Sequence, residues 1–469
     1  MTDSPESPAS RPALPVRLAW VLAGGLLLRL LLLTGTVTLG PRISDERDYV
    51  QLATSLVNGG GFSFASGPTS LRPPLFPGFV AGLWLVSGTE SLQLVRLAQA
   101  LLGLVTAWLV FELASAAYDR TAGEVAGALT ALYPSLVFAN FLILSETLFT
   151  LLLVAALLAL IRLIRTPSLL RALCTGLLIG FAALTRSVLW PFPLVIAPLV
   201  AWWTPGRVTN RLSIAAAMLA GSAIAIGPWA VRNSRLQGVP VVVDTMGGLN
   251  LRMGNYEYTP HDRIWDAVSM SGDKSWITGI PREPPGGGTW TEGTKERWAR
   301  GEAVRYITAH PVQTLWRSWI KFGDFWALDR DFLAGVMQGL FHPPAWFTVI
   351  AGAASFAAYP TVLAAALAGI WLAPPADRRV HWALLLVLAF VCTLHSLVFA
   401  HPRYRLPLMP VLMVYAAAAL TRLNRESLAD LRRAWPIFAC LALAAGIWTA
   451  QFFVRDAAFI WRLMGPSAS

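Results

Sequence analysis

Charge is what this sequence has least of. Only 13% of its 469 residues are Asp, Glu, Lys or Arg, about half the share of an ordinary soluble chain. Lysine is close to absent, standing only at Lys274, Lys295 and Lys321. Cysteine is scarce too, and Cys174, Cys392 and Cys440 all lie inside apolar runs. Their number and placement exclude a disulfide framework and a cysteine-based zinc site. The histidines, His261, His310, His342, His381, His395 and His401, form no close-spaced ligand pair. They carry no metal signature, and metal content stays an open point of the sequence.

What is there is apolar. The hydrophobic share is 55% and the mean hydropathy is +0.56. A chain this long would otherwise suggest about three soluble domains; its composition puts most of it in lipid. The net charge is +11, from 37 basic and 26 acidic residues. The arginines are spread over short loops between apolar runs, which reads as membrane topology and gives no nucleic-acid patch. The first apolar run is too long for a signal peptide and lacks a small-residue cleavage site, so it is expected to stay as a signal anchor.

About 20 apolar residues cross a bilayer as a helix. The candidate spans are 16–39, 91–117, 122–140, 144–165, 169–186, 188–203, 211–230, 345–372, 379–400, 403–421 and 434–453. A shorter run, 75–87, follows Pro73-Pro74 and has the length of a re-entrant or interfacial segment. Arg120, the group Arg162, Arg165 and Arg171, the pair Arg207 and Arg211, the pair Arg378 and Arg379, and the group Arg422, Arg425, Arg432 and Arg433 mark the short loops. If 75–87 does not cross, all of them fall on the side of Arg11 and Arg17, as the positive-inside rule requires.

The expected architecture is an all-α polytopic membrane protein of about eleven transmembrane helices plus the re-entrant 75–87 segment. Residues 1–15 form a cytoplasmic tail, and 16–230 a first membrane module whose loop 40–90 faces outward. Residues 231–344 form a small mixed outer subdomain, with an extended segment at Val239–Val243, a Gly-rich loop and a helix near Lys295–Ala309. Residues 345–453 are the last spans and 454–469 an outer tail. Trp316–Trp326, WRSWIKFGDFW, has the aromatic and basic character of a membrane-surface helix. Arg29 falls mid-span and is expected to face the bundle and find carbonyl or carboxylate partners.

The outer loop opens with Ser44-Asp45-Glu46-Arg47-Asp48-Tyr49. By themselves these residues read as an acidic helix start, with Ser44 as N-cap. Tyr49, Leu52, Ala53, Leu56 and Val57 have helical spacing, so 45–58 is expected to be a short amphipathic surface helix. Asp45-Glu46-x-x-Tyr49, Asn58-Gly59-x-Gly61 and Arg72-Pro73-Pro74-Leu75-x-Pro77 together resemble the first external loop of membrane glycosyltransferases with the GT-C fold. The nearest branch is the bacterial one related to protein O-mannosyltransferases and aminoarabinose transferases. Ser145-Glu146-Thr147-Leu148, Leu184-Thr185-Arg186, Pro228-Trp229-x-x-Arg232-Asn233, Gly247-Gly248-x-Asn250-Leu251-x-x-Gly254-Asn255 and Arg403-Tyr404-Arg405-Leu406-Pro407 are similar to later family positions, in the same order.

The resemblance implies transfer of a sugar from a polyprenyl-phosphate-linked donor to an outer acceptor, which could be lipid, glycan or protein, at a bacterial inner membrane. It implies Asp45 as general base. Glu46 would orient a neighbour, hold a divalent metal or serve the structure alone. Tyr49, Arg72, Glu146, Arg186, Arg232, Arg403, Tyr404 and Arg405 would hold the donor phosphate or substrate. Each has a plainer alternative: Arg72 as a headgroup anchor, Glu146 and Arg186 as partners of each other or of Arg96, and Arg403 and Arg405 as snorkelling arginines. The glycines at 247–255 are expected to permit tight turns. A lipid or solute transporter is the rival class, but it would bury its polar groups near the midplane in broken helices.

Overall fold

The computed structural model describes residues 15–277, 279–285, 287–340, 342–423 and 431–453. The expected tails 1–15 (Pro15 apart) and 454–469, and with them Arg11 and Arg425, lie outside the described residues. The chain runs α1 (Val16–Thr34), α2 (Ser44–Val57), β1 (Ser63–Phe64), β2 (Gly67–Pro68), α3 (Leu75–Ser87), α4 (Leu92–Ala117), α5 (Arg120–Leu132) and α6 (Pro134–Ala139). Next come α7 (Glu146–Arg165), α8 (Leu169–Thr185), α9 (Phe192–Trp203), α10 (Val208–Gln237), α11 (Gly247–Met253), α12 (Glu292–Ala309) and α13 (Pro311–Phe325). It ends with α14 (Asp331–Met337), α15 (Ala345–Leu372), α16 (Arg378–Leu397), α17 (Met409–Arg422) and α18 (Leu431–Gln451).

Eight of these helices are long and apolar enough to cross a membrane: α1, α4, α7, α10, α15, α16, α17 with its leading 3-10 turn, and α18. The other three expected spans are shorter helices. The run 122–140 is broken between α5 and α6 at Tyr133-Pro134, because a proline cannot donate to the preceding turn and biases the residue before it away from helix. The runs 169–186 and 188–203 become α8 and a 3-10 turn leading into α9. The 75–87 run is a single helix, α3.

Burial ranks the helices. The α17 segment is 83% buried and α7 72%, against 17% for α1, so α7 and α17 form the centre. Small residues set the tightest crossings. A Cβ on Gly176 or Gly180 of α8 would run into the α10 backbone at Met218 and Ser222, and one on Gly221 into the α8 backbone at Leu173. Glycine pairs at i and i+4 let two backbones touch where no hydrophobic drive separates helix from lipid.

The segment 238–344 departs from expectation. It holds α11 to α14 and 3-10 turns, and no strand among the described residues; Val239–Val243 joins no sheet, and its Val243 carbonyl accepts from Trp229 and Asn233 of α10. The glycine-rich stretch is a helix, α11, and no loop. Gly248 is there for space, since a Cβ would strike the Glu296 carbonyl of α12. The helix expected near Lys295–Ala309 is present as α12, and Arg29 is buried as expected, donating to Asn140 Oδ1 at 2.9 Å and to the Ala131 carbonyl at 2.7 Å.

Candidate functional site

Helix α2 starts one residue earlier than its acids suggest: Ile43 is the N-cap, and the expected cap Ser44 is the first helical residue. Glu46 at the third position explains this. Its Oε2 accepts the backbone N–H groups of Arg42 at 2.7 Å and Ile43 at 3.0 Å, the reciprocal half of a capping box. Its Oε1 accepts the Ile143 N–H at 2.9 Å. Glu46 is thus buried and fully engaged by main chain, facing away from Asp45's partners. Its geometry is that of a carboxylate tying the start of α2 to the chain before α7.

With Glu46 turned inward, Asp45, Asp48 and Tyr49 lie at i, i+3 and i+4 and are neighbours on the helix surface. Arg72, delivered by the chain between β2 and α3, reaches that face. It donates from Nη2 to Asp45 Oδ1 at 2.7 Å, and from Nε and Nη2 to Asp48 Oδ2 at 3.0 and 2.7 Å. Its guanidinium carbon lies 5.8 Å from the Tyr49 ring centre. Tyr49 in turn packs edge-on to Phe76 of α3 at 5.0 Å. Asp48 escaped the sequence reading, although its spacing of three from Asp45 on a helix places the two side by side.

The second half of the site comes from distant sequence. The 3-10 turn before α17 carries Arg403, whose Nη2 donates to Asp45 Oδ2 at 2.8 Å and whose Nε lies 3.1 Å from Glu146 Oε1. Glu146, buried at the start of α7, also meets Arg186 Nη1 at 2.8 Å. Both contacts of Glu146 have ion-pair distance without hydrogen-bond alignment. Arg186 ends α8 and sits 5.4 Å from the Tyr404 ring centre. Arg96, the other expected partner of Glu146, instead binds the carbonyls of Phe141, Thr36 and Leu39.

The result is a continuous chain of alternating charge, Asp48–Arg72–Asp45–Arg403–Glu146–Arg186. Burial raises the Asp45 pKa, but Arg403 and Arg72 outweigh it and hold the carboxyl at about 2. Burial disfavours the Arg72 cation, while Tyr49, Asp45 and Asp48 push its pKa up. Two further carboxylates stand near the chain. Asp331 is raised by burial, against the pull of Arg403 and Arg405. Asp244 is raised by burial too, against a Ser187 hydrogen bond and the Met246 N–H. Neither has a local sequence signal.

Two expected phosphate ligands lie elsewhere. Arg232 donates to the carbonyls of Thr69 at 2.5 Å and Phe62 at 3.1 Å, and covers the Trp229 ring at 4.6 Å. It clamps the β-hairpin loop to the end of α10. Arg405 is buried on the inner side of its turn, donating to the Phe325 carbonyl at 2.9 Å over the Tyr359 ring at 3.8 Å. Two residues apart in a 3-10 turn, Arg403 and Arg405 point different ways: Arg403 meets Asp45 and Glu146, Arg405 the Phe325 carbonyl. Asn255 and Lys321 also pair inside, at 3.0 Å.

Among the described residues no three His, Cys, Asp or Glu side chains gather in a way that could hold a metal ion. The carboxylates of the chain are matched to guanidiniums.

Residues 71–231 match the family model for dolichyl-phosphate-mannose-protein mannosyltransferases; Arg72, Glu146 and Arg186 fall inside that match. No curated protein matches the chain in sequence. The oligosaccharyltransferase of Archaeoglobus fulgidus, in complex with zinc and sulfate, is similar in structure with a TM-score of 0.50 and 16% identity, over 92% of this chain and 52% of that one. Its apo form gives 0.50 and 15%, over 96% and 58%. ArnT from Cupriavidus metallidurans, bound to undecaprenyl phosphate, gives 0.49 and 14%, over 91% and 64%. The chain spans about half to two thirds of the length of these proteins. The fold is the polytopic all-helical GT-C fold that it shares with the archaeal enzyme.

Proposed function

We propose that this protein transfers a sugar from a polyprenyl-phosphate-linked donor to an acceptor hydroxyl on the extracytoplasmic face of a bacterial inner membrane. The observation that carries this reading is the exchangeable charge chain: Arg72 and Arg403 each hold Asp45 at 2.7 and 2.8 Å. A phosphate recruits guanidiniums through the same two-pronged contacts that a carboxylate does. A donor phosphate entering here competes with Asp45 for both arginines, while Asp48 at Arg72 Nε and Glu146 beside Arg403 Nε keep each arginine in place.

The chemistry follows from that exchange. Asp45, relieved of its two cations, becomes basic enough to accept the acceptor's proton. The acceptor oxygen bonds to the anomeric carbon as the bond from that carbon to the phosphate oxygen breaks. The polyprenyl phosphate leaves with its new negative charge facing Arg72, Arg403 and Arg186. On departure the arginines return to Asp45 and drive its proton off. The position of the chain of charge, at the start of α2, of α7 and of the turn before α17 and at the end of α8, suits a lipid headgroup and not the mid-span site of a transporter.

The test is direct. Purified protein in nanodiscs is supplied with synthetic polyprenyl-phosphate sugars, and release of free polyprenyl phosphate is followed with and without acceptor extracts. Release that vanishes in Arg72→Ala and Arg403→Ala supports the reading. Unchanged donor affinity and turnover in both variants sinks it.

A further inference from the structure

Helix α13 is inside out. Its charged residues Arg317 and Lys321 are completely buried, while Val312, Leu315, Trp316 and Trp319 are exposed at 80%, 72%, 55% and 44%. The exposed positions repeat at i, i+3, i+4 and i+7, so they form one stripe along the helix. A helix facing water would show the reverse pattern.

The buried charges are held by main-chain and side-chain oxygens inside. Arg317 donates to the carbonyls of Tyr256 at 2.8 Å and Thr259 at 2.9 Å, with the Tyr306 ring 5.1 Å away. Lys321 Nζ donates to Asn255 Oδ1 at 3.0 Å and to the Leu397 carbonyl at 2.9 Å. Burial, with Arg317 nearby, lowers the Lys321 pKa to about 7, as expected of an ammonium removed from water. The charged face is therefore a clamp on the segment 255–259 and on the end of α16.

The level of the helix is marked by its neighbours. Gln451, the last residue of span α18, donates to the Gly323 carbonyl at 3.1 Å. Trp448 of α18 donates to the Trp326 carbonyl at 2.8 Å, and Leu397 is the last residue of span α16. The C-terminal end of α13 is thus held at the ends of two spans, and the exposed stripe leads along the same helix from there.

We propose that α13 lies in the membrane interface with Val312, Leu315, Trp316 and Trp319 immersed in lipid, so that the bilayer is the partner of this face. Tryptophan suits this depth, where an apolar ring body meets headgroups. The helix also joins that depth to the functional site, because its last residue, Phe325, accepts Arg405 through its carbonyl in the turn that carries Arg403. This inference stands on burial and continuity and is independent of the chemistry proposed above.

Spin labels at Val312→Cys and Leu315→Cys, with the native cysteines replaced and the protein in phospholipid nanodiscs, test it. Both side chains are exposed, so the substitutions leave the packed face intact. Ser271→Cys, in an exposed stretch, is the aqueous control. The expected result is relaxation of the 312 and 315 labels by oxygen over a water-soluble nickel chelate, with the opposite order at 271. Preferential relaxation by the chelate at 312 and 315 overturns the proposal, since that face would then meet water. Immobile labels shielded from both agents also overturn it, since a protein partner or a second copy would then cover the stripe.

Discussion

Loading this protein with a lipid phosphate should raise the pKa of Asp45, and the size of the rise can be worked from its two contacts. Burial alone would lift that carboxyl above its ordinary 3.8; Arg403 and Arg72 bring it down to about 2. The difference, 3.8 − 2, is about 1.8, and at about 1.4 kcal/mol for each pH unit it amounts to about 2–3 kcal/mol in favour of the charged form. A phosphate that takes the Nη2 groups of both arginines withdraws that stabilisation and adds a like charge. Asp45 should then climb to 3.8 or higher, a gain in basicity of about 60-fold or more. The readout is the pH dependence of the two kinetic parameters: kcat/KM reports the free protein and kcat the donor-bound one. We expect kcat/KM to stay flat on the acid side down to about pH 4, and kcat to carry an acidic limb at a higher pH. An acidic limb near pH 6 in kcat/KM would refute the reasoning, because a doubly clamped Asp45 cannot titrate there.

The same contacts say what Asp45→Asn does. A carboxyl whose folded pKa is depressed adds stability above about pH 4 and loses it as the pH falls towards 2, so at neutral pH the variant forgoes about 2–3 kcal/mol. Arg72 keeps Asp48 and Arg403 keeps Glu146, so neither cation is orphaned and the variant should still accumulate in the membrane. Turnover should drop by roughly 10²- to 10⁴-fold, the usual worth of general-base catalysis. Near-normal transfer by this variant would move the base elsewhere.

Other outcomes follow from particular contacts. Asp48→Asn removes the charged partner of Arg72 Nε and Nη2, and kcat/KM for the donor should fall roughly tenfold, the worth of about 1.4 kcal/mol, while Asp48→Glu restores part of it. Glu46→Gln replaces one acceptor of backbone N–H groups by a donor; buried polar groups left unmatched cost about 1–3 kcal/mol each, so yield and melting temperature should fall while turnover per folded molecule persists. Gly176→Val should abolish the α8–α10 crossing and accumulation of the protein, as seen by detergent-resistant yield. Single cysteines at Ser66 and Ser271 should both label from outside intact cells with an impermeant maleimide; labelling of one with protection of the other would break the eleven-span scheme.

Much of the fold was legible because a bilayer imposes a one-dimensional rule. An apolar run of span length must be helix, whatever surrounds it, and so α1, α4, α7, α10 and α15 to α18 stand where the apolar runs stand. The same rule exposed the charges that break it: Asp45, Arg72, Glu146, Arg186 and Arg403 are costly next to lipid, and each lies at a helix end in the charge chain. Side-chain direction was not legible. Glu46 and Asp45 are neighbours in sequence, yet the step of about 100° between adjacent helix residues sends Glu46 to the Ile143 N–H and Asp45 to two arginines. Arg403 and Arg405 part in the same way within a 3-10 turn, and Arg232 reads as a ligand until the carbonyls of Thr69 and Phe62 are seen around it. Asp48 looked like any acid of a solvated helix until Arg72 came back across 24 residues to meet it. Nor could hydropathy reveal that α13 turns its charges inward, since the same residues facing outward have the same composition. The sequence decided which segments are membrane helices and which residues are too polar to be idle there; packing decided which of those polar groups face one another, because hydrogen-bond partners hundreds of residues apart leave no trace in local spacing.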